Sequence, residues 1–595
     1  MSNRYIKHTA STLFCGLLSL ALAACAEALD EKSFSFVNEE TIPDSDEGAQ
    51  QWVTGAYSAL TYEVYRWDAF PHVLDFDCDY MTGPDWAFGK FGSGNFQDDD
   101  HAQQMWEKMY NVIHRCNLGI EHVEPMTGAS AEARDNALGE LYLLKAYSYF
   151  LLVRAFGPLP IRDHTINSGK VDIQQPRQPV DSVYNYIVGM LKKSEQLSYK
   201  NTDRKFILGH GSAGAAASLL AKVYLTMASG AVPTGEKVIV RGGKAFQMVN
   251  GEKVYTSPVA IEHEKTQLAG YEKIDSKKYF TLARDKAKEV MDGKYGDYGL
   301  LDYDGLWTIA NRNKTEHIWS LQTISDNAIY GVSFGKGYVG LLNTDGSVDG
   351  LHHGMRDHWY KLFEPQDYRI TKGVMHRWQR YFDVQYRVAS YYPNNEEWKK
   401  KAQGYQNAAG QWVGPVEPFN DGLSYNSKND NNYLAYLNKY TYVTDRTKER
   451  TDIYYPFLRF ADVLLIYSEA ANEVNGGPTQ EALDALNKVR IRSNATLKTL
   501  SGAGNINDKV KFRSAVLEES HGICRGGRPP LGSDQMGNLS AGNERHQRYG
   551  RGGHSEDPYR EASSLPYPQL GGRREQVHQR KQQGMVSSVL MKKTL

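Results

Sequence analysis

The sequence predicts a mainly α-helical protein, built as a tetratricopeptide-like helical-repeat body with long irregular loops and a small β insertion. Three observations support this fold class. The segment 457–473 repeats small and branched apolar residues such as Ala461 and Leu464 at helical spacing. A Gly-Gly-Pro run at 476–478 ends this helix and begins the next one, 480–490. Two short antiparallel helices with alanine at their contact are the unit of a tetratricopeptide-type repeat.

The N-terminus has the pattern of a lipoprotein signal peptide, residues 1–24. Basic residues precede a short apolar run that ends in Leu22-Ala23-Ala24-Cys25, which resembles a bacterial lipobox. Lipid attachment requires small residues before the cleavage point and a thiol after it, so Cys25 is the predicted lipid anchor. Two or more acyl chains, palmitate among them, hold a mature N-terminus stably on a membrane. The alternative is an ordinary secretory signal with a chance cysteine.

The mature chain alternates helical patterns with irregular segments. Further helices are predicted over 49–62, 105–123, 138–156, 181–197, 213–225 and 279–291. Between them, residues 236–258 carry short β-branched runs around Gly-Gly and Asn-Gly turns, a pattern typical of a small β-meander. The expected organisation is an N-terminal helical region, 25–235, then the β insertion, then a C-terminal region, 259–519.

Two irregular stretches carry the candidate binding residues. Residues 65–100 mix aromatic side chains with Gly, Asp and Asn, and residues 325–455 are rich in Gly, Asn and Tyr and weakly periodic. Aromatic faces stack on ligand rings, and amide groups fix the orientation of hydroxyls. The ligand-binding candidates are Trp67, Trp86, Phe88, Asn95, Phe96, Tyr338 and Asn343. The alternative for each aromatic residue is a contact with a partner protein or a place in the core.

Composition and motifs argue against nucleic-acid binding, metal sites and catalysis. The chain has 69 Lys and Arg against 70 Asp and Glu, so it lacks the basic excess of a polyanion binder. Residues 75–79 open like a calcium loop, but Tyr80 replaces the required Gly and Trp86 replaces the closing Glu. His352-His353 has no zinc-type spacing. No carboxylate pair is singled out for glycoside hydrolysis. We expect no cofactor, no metal and no catalytic residue.

The five cysteines are too few for a disulfide scaffold. Cys78 and Cys116 are the pair that could form a bridge in an oxidising compartment. Nothing in the sequence places them close together, so two free buried thiols are the alternative.

Several motifs resemble the SusD/RagB family. The signature RxADxLLxxAEAxNE is matched by Arg459, Ala461, Asp462, Leu464, Leu465, Glu469, Ala470 and Asn472, and LNxVRxRA by Asn487, Val489, Arg490 and Arg492. Ser468 replaces the usual alanine. Further similar segments are the pattern that begins at Trp106, the segment 303–322 with Glu316, and the pair Asp367 and Arg369.

The resemblance implies a lipid-anchored outer-membrane protein that faces outward, captures an oligosaccharide and passes it to a SusC-like TonB-dependent transporter. It implies no catalysis, and it places ligand contacts on loops like the two described above. Three alternatives stay open. They are a RagB-like peptide-binding lipoprotein, a surface glycoside hydrolase, and a scaffold of the transporter complex that binds no ligand.

The sequence changes character after Glu519. Gly, Arg, Gln, Ser and Pro dominate residues 520–595, and hydrophobic periodicity disappears. Taken literally, this segment is a disordered basic tail. The second interpretation is a frameshift near 518–520, because reading one nucleotide later permits strings that resemble the family's closing motifs, in order.

Overall fold

The computed structural model describes residues 41–524, apart from the internal segments 66–72, 74–79, 83–99, 166–168, 170–173, 245, 345, 347, 383–384, 391–404, 407–411 and 414–433. The described part is mainly helical, as predicted. The predicted leader and the tail after Cys524 lie outside it.

Paired helices form the body of the molecule. The helices are α1 Asp46–Ala59, α2 Asp100–Val123, α3 Ala131–Phe156, α4 Val180–Leu197, α5 Ala213–Gly230, α6 Ser276–Met291, α7 Gly335–Val339, α8 Asp357–Tyr360, α9 Tyr368–Thr371, α10 Phe460–Asn475, α11 Gln480–Arg492 and α12 Lys509–Cys524. Each helix from α2 to α5 packs against the next one along the chain, and α10 packs against α6, α11 and α12. This arrangement of consecutive antiparallel pairs is the predicted helical-repeat body. Among the described residues, none of these helices combines the length and the apolar character needed to cross a bilayer.

Capping residues set several helix ends. Helix α3 begins seven residues before the predicted start at 138, because the Ser130 hydroxyl accepts a hydrogen bond from the Ala133 amide. The Ser212 hydroxyl caps α5 in the same way, on the Ala215 amide. At its other end α3 ends at Phe156, and Gly157 takes a φ of 67° there.

Short strands form small sheets beside the helices. The strands are β1 Met81–Thr82, β2 Lys237–Gly242, β3 Phe246–Val249, β4 Glu252–Tyr255, β5 Val259–Glu264, β6 His317–Leu321, β7 Leu341–Leu342, β8 Val348–Asp349, β9 Gly354–Arg356, β10 Val374–Met375, β11 Arg377–Phe382, β12 Gln385–Ser390, β13 Tyr405–Gln406, β14 Trp412–Val413, β15 Leu434–Leu437 and β16 Tyr455–Arg459. Two sheets have four strands each, in the orders β1-β9-β15-β10 and β12-β11-β8-β7, and the others have two.

The β insertion is present, but its topology is not a meander. The inner strands β3 and β4 pair with each other, and the outer strands β2 and β5 pair around them. Asn250 and Gly251 form the inner turn with positive φ angles, as the Asn-Gly signal predicts. The chain continues as strand to Glu264 instead of ending at 258, because β5 returns along the whole length of β2.

The segment predicted as a helix from 457 begins as a strand. Residues 455–459 form β16, which pairs with β6, and the helix starts at Phe460. The Asp462 carboxylate accepts a hydrogen bond from the Arg459 amide at 2.9 Å and so caps the new helix. Phe457 on this strand packs against Tyr147 and Trp319 with ring centroids 4.8 and 4.7 Å apart.

A buried ion network holds the start of α10 against the end of α11. The side chain of Glu316 has no exposed surface, and both of its carboxylate oxygens lie 2.9 Å from Nη1 of Arg492. Arg459 Nη1 lies 3.6 Å from the same carboxylate, and the Leu301 amide donates to it at 2.8 Å. Arg459, Glu316 and Arg492, which carry part of the family resemblance, therefore form buried ion pairs that stabilise the helical body.

A second buried network joins α9, α11 and α12. Glu519 accepts from Arg369 Nη1 at 2.5 Å and from Arg490 Nη1 at 2.6 Å. Arg369 also forms a two-point ion pair with Asp367. The positive guanidinium groups lower the pKa of Glu519 against the opposing effect of burial. This carboxylate sits at the boundary where the character of the sequence changes.

Candidate functional site

One four-stranded sheet joins the two irregular stretches that the sequence predicts to bind ligand. Strand β1, from the first stretch, pairs with β9 from the second, with Met81 opposite Met355. Strand β15 pairs with the other edge of β9, and β10 follows it. The Arg356 amide also donates to the Tyr80 carbonyl at 2.7 Å. Residues 80–82 of the first stretch therefore lie beside the second stretch, although about 270 residues of sequence separate the paired strands.

The core beneath this sheet contains one of the predicted binding residues. Tyr338, on α7, is 1% exposed. Its ring lies edge-on to His353 at 5.2 Å and next to Tyr440 at 4.9 Å. Gly337 allows this packing, because an added Cβ there would lie 2.4 Å from the His353 ring. The structure thus places Tyr338 in the core, which was the alternative for this residue.

A surface above this core is built from three loops, which we call the three-segment face: residues 323–331, 340–344 and 444–451. The Asp326 amide donates to the Arg450 carbonyl at 2.9 Å, and Val332 pairs with Thr451 as an isolated bridge. On the other side, the Leu342 amide donates to the Arg446 carbonyl at 3.0 Å. The loop 444–451 therefore holds the other two loops together through its main chain.

The loop 323–331 is tightly ordered by internal hydrogen bonds. The Asn327 side-chain oxygen accepts from the amides of Ile329 and Tyr330, both at 2.9 Å. Gly331 is needed for the approach of the third loop, because an added Cβ would lie 2.8 Å from Cβ of Arg450. The loop presents the half-exposed Tyr330 together with exposed Ile324.

The charged groups of this face belong mostly to the third loop. Lys448 pairs with Asp326 at 2.9 Å. The hydroxyl and amide of Thr447 donate to Asp445 and lower the pKa of that carboxyl. Burial lowers the pKa of Arg446.

Apart from Tyr338 in the core, the predicted binding residues divide between this face and the segments outside the described residues. Asn343 is half-buried in the second loop, and its carbonyl accepts from the Gly346 amide at 3.0 Å. Trp67, Trp86, Phe88, Asn95, Phe96 and the anchor Cys25 lie outside the described residues. The loop 444–451 was not singled out from the sequence. Its one signal was a run of charged residues at the end of a long aperiodic stretch.

A protein metal site requires several ligating side chains close together. Within the described ranges, no group of three or more His, Cys, Asp or Glu side chains is placed to hold an ion. Cys116 is a free, buried thiol, and burial raises its pKa to about 12. Cys78 lies outside the described residues.

Two family models match the chain in sequence. Residues 27–225 match a SusD-like model described as "Starch-binding associating with outer membrane", and residues 244–521 match the SusD_RagB model of the SusD family. The second match ends within α12. Strand β1 therefore lies within the first matched segment and β9 within the second.

Similar curated proteins are SusD-like proteins. One from Formosa agariphila, P38, is 25% identical over 202 residues, and one from Bacteroides ovatus is 24% identical over 214 residues. These matches span 39% and 37% of the length of those relatives. A second Formosa protein, P25, is 23% identical over 525 residues, which is 83% of this chain and 84% of the relative.

Similar solved structures share the fold at low identity. A SusD homolog from Bacteroides thetaiotaomicron aligns with a TM-score of 0.61 at 19% identity, over 89% of this chain and 94% of that one. Surface glycan-binding protein A from Bacteroides uniformis aligns with a TM-score of 0.52 at 17% identity, over 82% and 86%. A structure determined with xylogluco-oligosaccharide aligns with a TM-score of 0.54 at 16% identity, over 84% and 85%.

Proposed function

This chain belongs to the SusD/RagB family, and we propose that it is an outer-membrane lipoprotein that captures an oligosaccharide and delivers it to a SusC-like TonB-dependent transporter. The protein binds its ligand without altering it. The observation that carries the proposal is the pairing of β1 with β9, which attaches the first predicted binding stretch to the second at residues 81–82. The three-segment face, with Tyr330 and Asn343, belongs to the second stretch.

The comparisons support a sugar as the ligand. Structural relatives include a surface glycan-binding protein and a protein solved with xylogluco-oligosaccharide. The Tyr330 ring provides apolar area for a pyranose, and the Asn343 amide provides a donor and an acceptor for hydroxyls. The buried Tyr338 supports the floor of this face and does not itself contact ligand.

Glycan binding is tested by calorimetry of the mature protein with pools of oligosaccharides and pools of peptides. We expect heat of binding with a glycan pool and none with peptides. Binding of peptides alone would favour the RagB-like alternative, and release of reducing ends would favour a hydrolase. Absence of any ligand would favour a scaffold.

The binding surface is tested with Tyr330→Ala. We expect affinity for the identified glycan to fall roughly three- to tenfold, because one aromatic contact is lost. The matched control is Tyr279→Ala, which removes a half-buried tyrosine from α6 of the helical body. Equal affinity of the two variants would exclude Tyr330 from the binding surface.

Membrane attachment is tested with Cys25→Ser. We expect wild-type protein to incorporate labelled palmitate and to fractionate with the outer membrane, and the variant to do neither, because serine offers no thiol for the diacylglycerol. Delivery is tested by affinity purification of the wild-type protein from detergent-solubilised outer membranes. We expect a TonB-dependent transporter to co-purify.

A further inference from the structure

Two arginines of the three-segment face lack an acidic partner among the residues that the structure describes. The Nη2 group of Arg446 donates to the Val339 carbonyl at 2.8 Å, but its buried Nε has no hydrogen-bond acceptor among the described residues. Arg450 contributes its carbonyl to the Asp326 amide, while its guanidinium makes no ion pair or hydrogen bond in the described ranges. An arginine remains charged in proteins, so both groups carry a positive charge without a compensating carboxylate.

The acidic groups of the same surface are engaged elsewhere or exposed. Asp326 pairs with Lys448 at 2.9 Å, and Asp349 lies 3.5 Å from Lys336. Asp445 is occupied by two hydrogen bonds from its own turn. Glu449 is exposed to solvent. Among the described residues, the nearby lysines therefore have acidic partners, and the two arginines do not.

The environment of Arg446 adds a second observation. Burial lowers the pKa of its guanidinium, and no neighbouring carboxylate offsets that effect. A partly buried charge with an unsatisfied donor raises the free energy of the folded protein unless an anion compensates it. Groups of this kind are enriched at functional sites, where a ligand can supply the missing partner.

The position of Arg450 connects the charge to the aromatic surface. Its Cβ lies beside Gly331, which follows Tyr330 directly. A guanidinium offers paired N–H donors that match a carboxylate or a sulfate. A sugar ring stacked on the tyrosine would bring a charged substituent within reach of the neighbouring arginine.

We propose that the three-segment face binds an anionic sugar, with the carboxylate or sulfate group on Arg450 and Arg446 and the sugar ring on Tyr330. This inference rests on the proposed function and names its ligand class: glycans that contain uronic acids or sulfate esters. Neutral parts of the same oligosaccharide lie along the uncharged part of the surface, near Asn343.

The test is calorimetry of the mature protein with three probes: oligogalacturonate, its carboxyl-reduced neutral counterpart, and a sulfated carrageenan oligosaccharide. We expect one anionic probe to bind at least about tenfold more tightly than the neutral probe, with an affinity that falls as salt is added. Which anionic probe binds distinguishes carboxylate from sulfate.

Two substitutions assign the effect to the arginine. Arg450→Gln should lower the affinity for the anionic probe about ten- to a hundredfold and leave neutral-probe affinity unchanged, because it removes a hydrogen-bonded ion pair. Arg450→Lys should recover part of the affinity and of the salt dependence. The matched control is Arg204→Gln, an exposed arginine of the helical body, which should change nothing.

Two outcomes would overturn the inference and leave the proposed function intact. One is equal affinity for oligogalacturonate and its carboxyl-reduced neutral counterpart. The other is unchanged affinity for the anionic probe in Arg450→Gln. Failure of both anionic probes to bind, with a neutral glycan bound, leads to the same conclusion. Binding of an acidic peptide with no glycan bound would overturn both proposals.

Discussion

Replacing Glu316 by glutamine tests whether the family signature stabilises the fold. The carboxylate is fully buried and accepts from Arg492 and from the Leu301 amide, with Arg459 at 3.6 Å. Glutamine keeps the size of the side chain and one acceptor oxygen, so the change removes the negative charge without opening a cavity. Two buried guanidinium groups then lose their shared counter-ion.

The expected loss of stability follows from this geometry. Breaking a buried ion pair by removing one partner costs about 3–5 kcal/mol, because the remaining charge stays buried. Arg492 has no second carboxylate within hydrogen-bond distance among the described residues. We therefore expect the free energy of unfolding of Glu316→Gln to fall by about 3–5 kcal/mol, roughly a hundred- to several thousandfold in the unfolding equilibrium.

Urea unfolding of the mature protein, followed by tryptophan fluorescence, measures this difference. The matched control is Glu262→Gln, whose carboxylate forms an exposed pair with Lys237 at 2.6 Å. Exposed pairs contribute little because water and salt screen them, so the control should keep the wild-type urea midpoint. A midpoint for Glu316→Gln equal to that of the control would refute the assignment of a stabilising role to the buried network.

Three further predictions concern residues outside the three-segment face. Gly209→Ala should destabilise the fold more than Gly476→Ala in urea titrations: both glycines have positive φ, but the added methyl at 209 would lie 2.5 Å from a glutamine oxygen, whereas the space at 476 is open. Phe457→Ala should lower the free energy of unfolding by about 3–5 kcal/mol, because the ring fills an aromatic cluster; a loss below about 1 kcal/mol would show that the site collapses. Burial lowers the pKa of His210, but its hydrogen bond and charge interaction with Glu140 together outweigh burial and raise it above 6.5. The stabilisation from this pair is therefore present below pH 6.5 and lost as pH rises through the folded-state pKa, so the pH dependence of the urea midpoint should flatten in His210→Gln.

Periodicity predicts the long helices α1 to α6, α10 and α11, with the first residues of α5 and α11 as observed and those of the others displaced. It does not predict α12. The apolar pattern of α3 begins at 138, yet a serine cap starts the helix at 131, because the first two turns are polar and carry no periodic signal. At α10 the apolar run continues through β16 without a break, since a fully buried strand and a buried helix both require apolar residues. The turns predict the β insertion, but they do not determine its strand pairing. Each strand could pair with the next one along the chain, whereas here β3 and β4 pair with each other and β2 pairs with β5.

The candidate site was predictable as a region and less so as residues. Aromatic content singled out Tyr338, which the structure buries, because tyrosine serves equally well in a core and on a surface. The loop 444–451 was missed because main-chain hydrogen bonds attach it to residues more than a hundred positions away. Nearly any residue can form main-chain hydrogen bonds, so the residue types of this loop do not indicate them. Asn343 was identified by residue type and lies on the face, and its ligand contact stays a prediction.

The four-stranded sheet that contains β1, β9 and β15 also constrains how the protein is synthesised and how its parts can be exchanged. Because the central strands are encoded far apart, this surface is completed only after translation has passed residue 437. Long-range pairing of this kind raises the contact order and slows folding. A chimera that exchanged only the first half of the chain with a relative would replace β1 and keep β9, so a complete exchange of this surface requires segments from both halves.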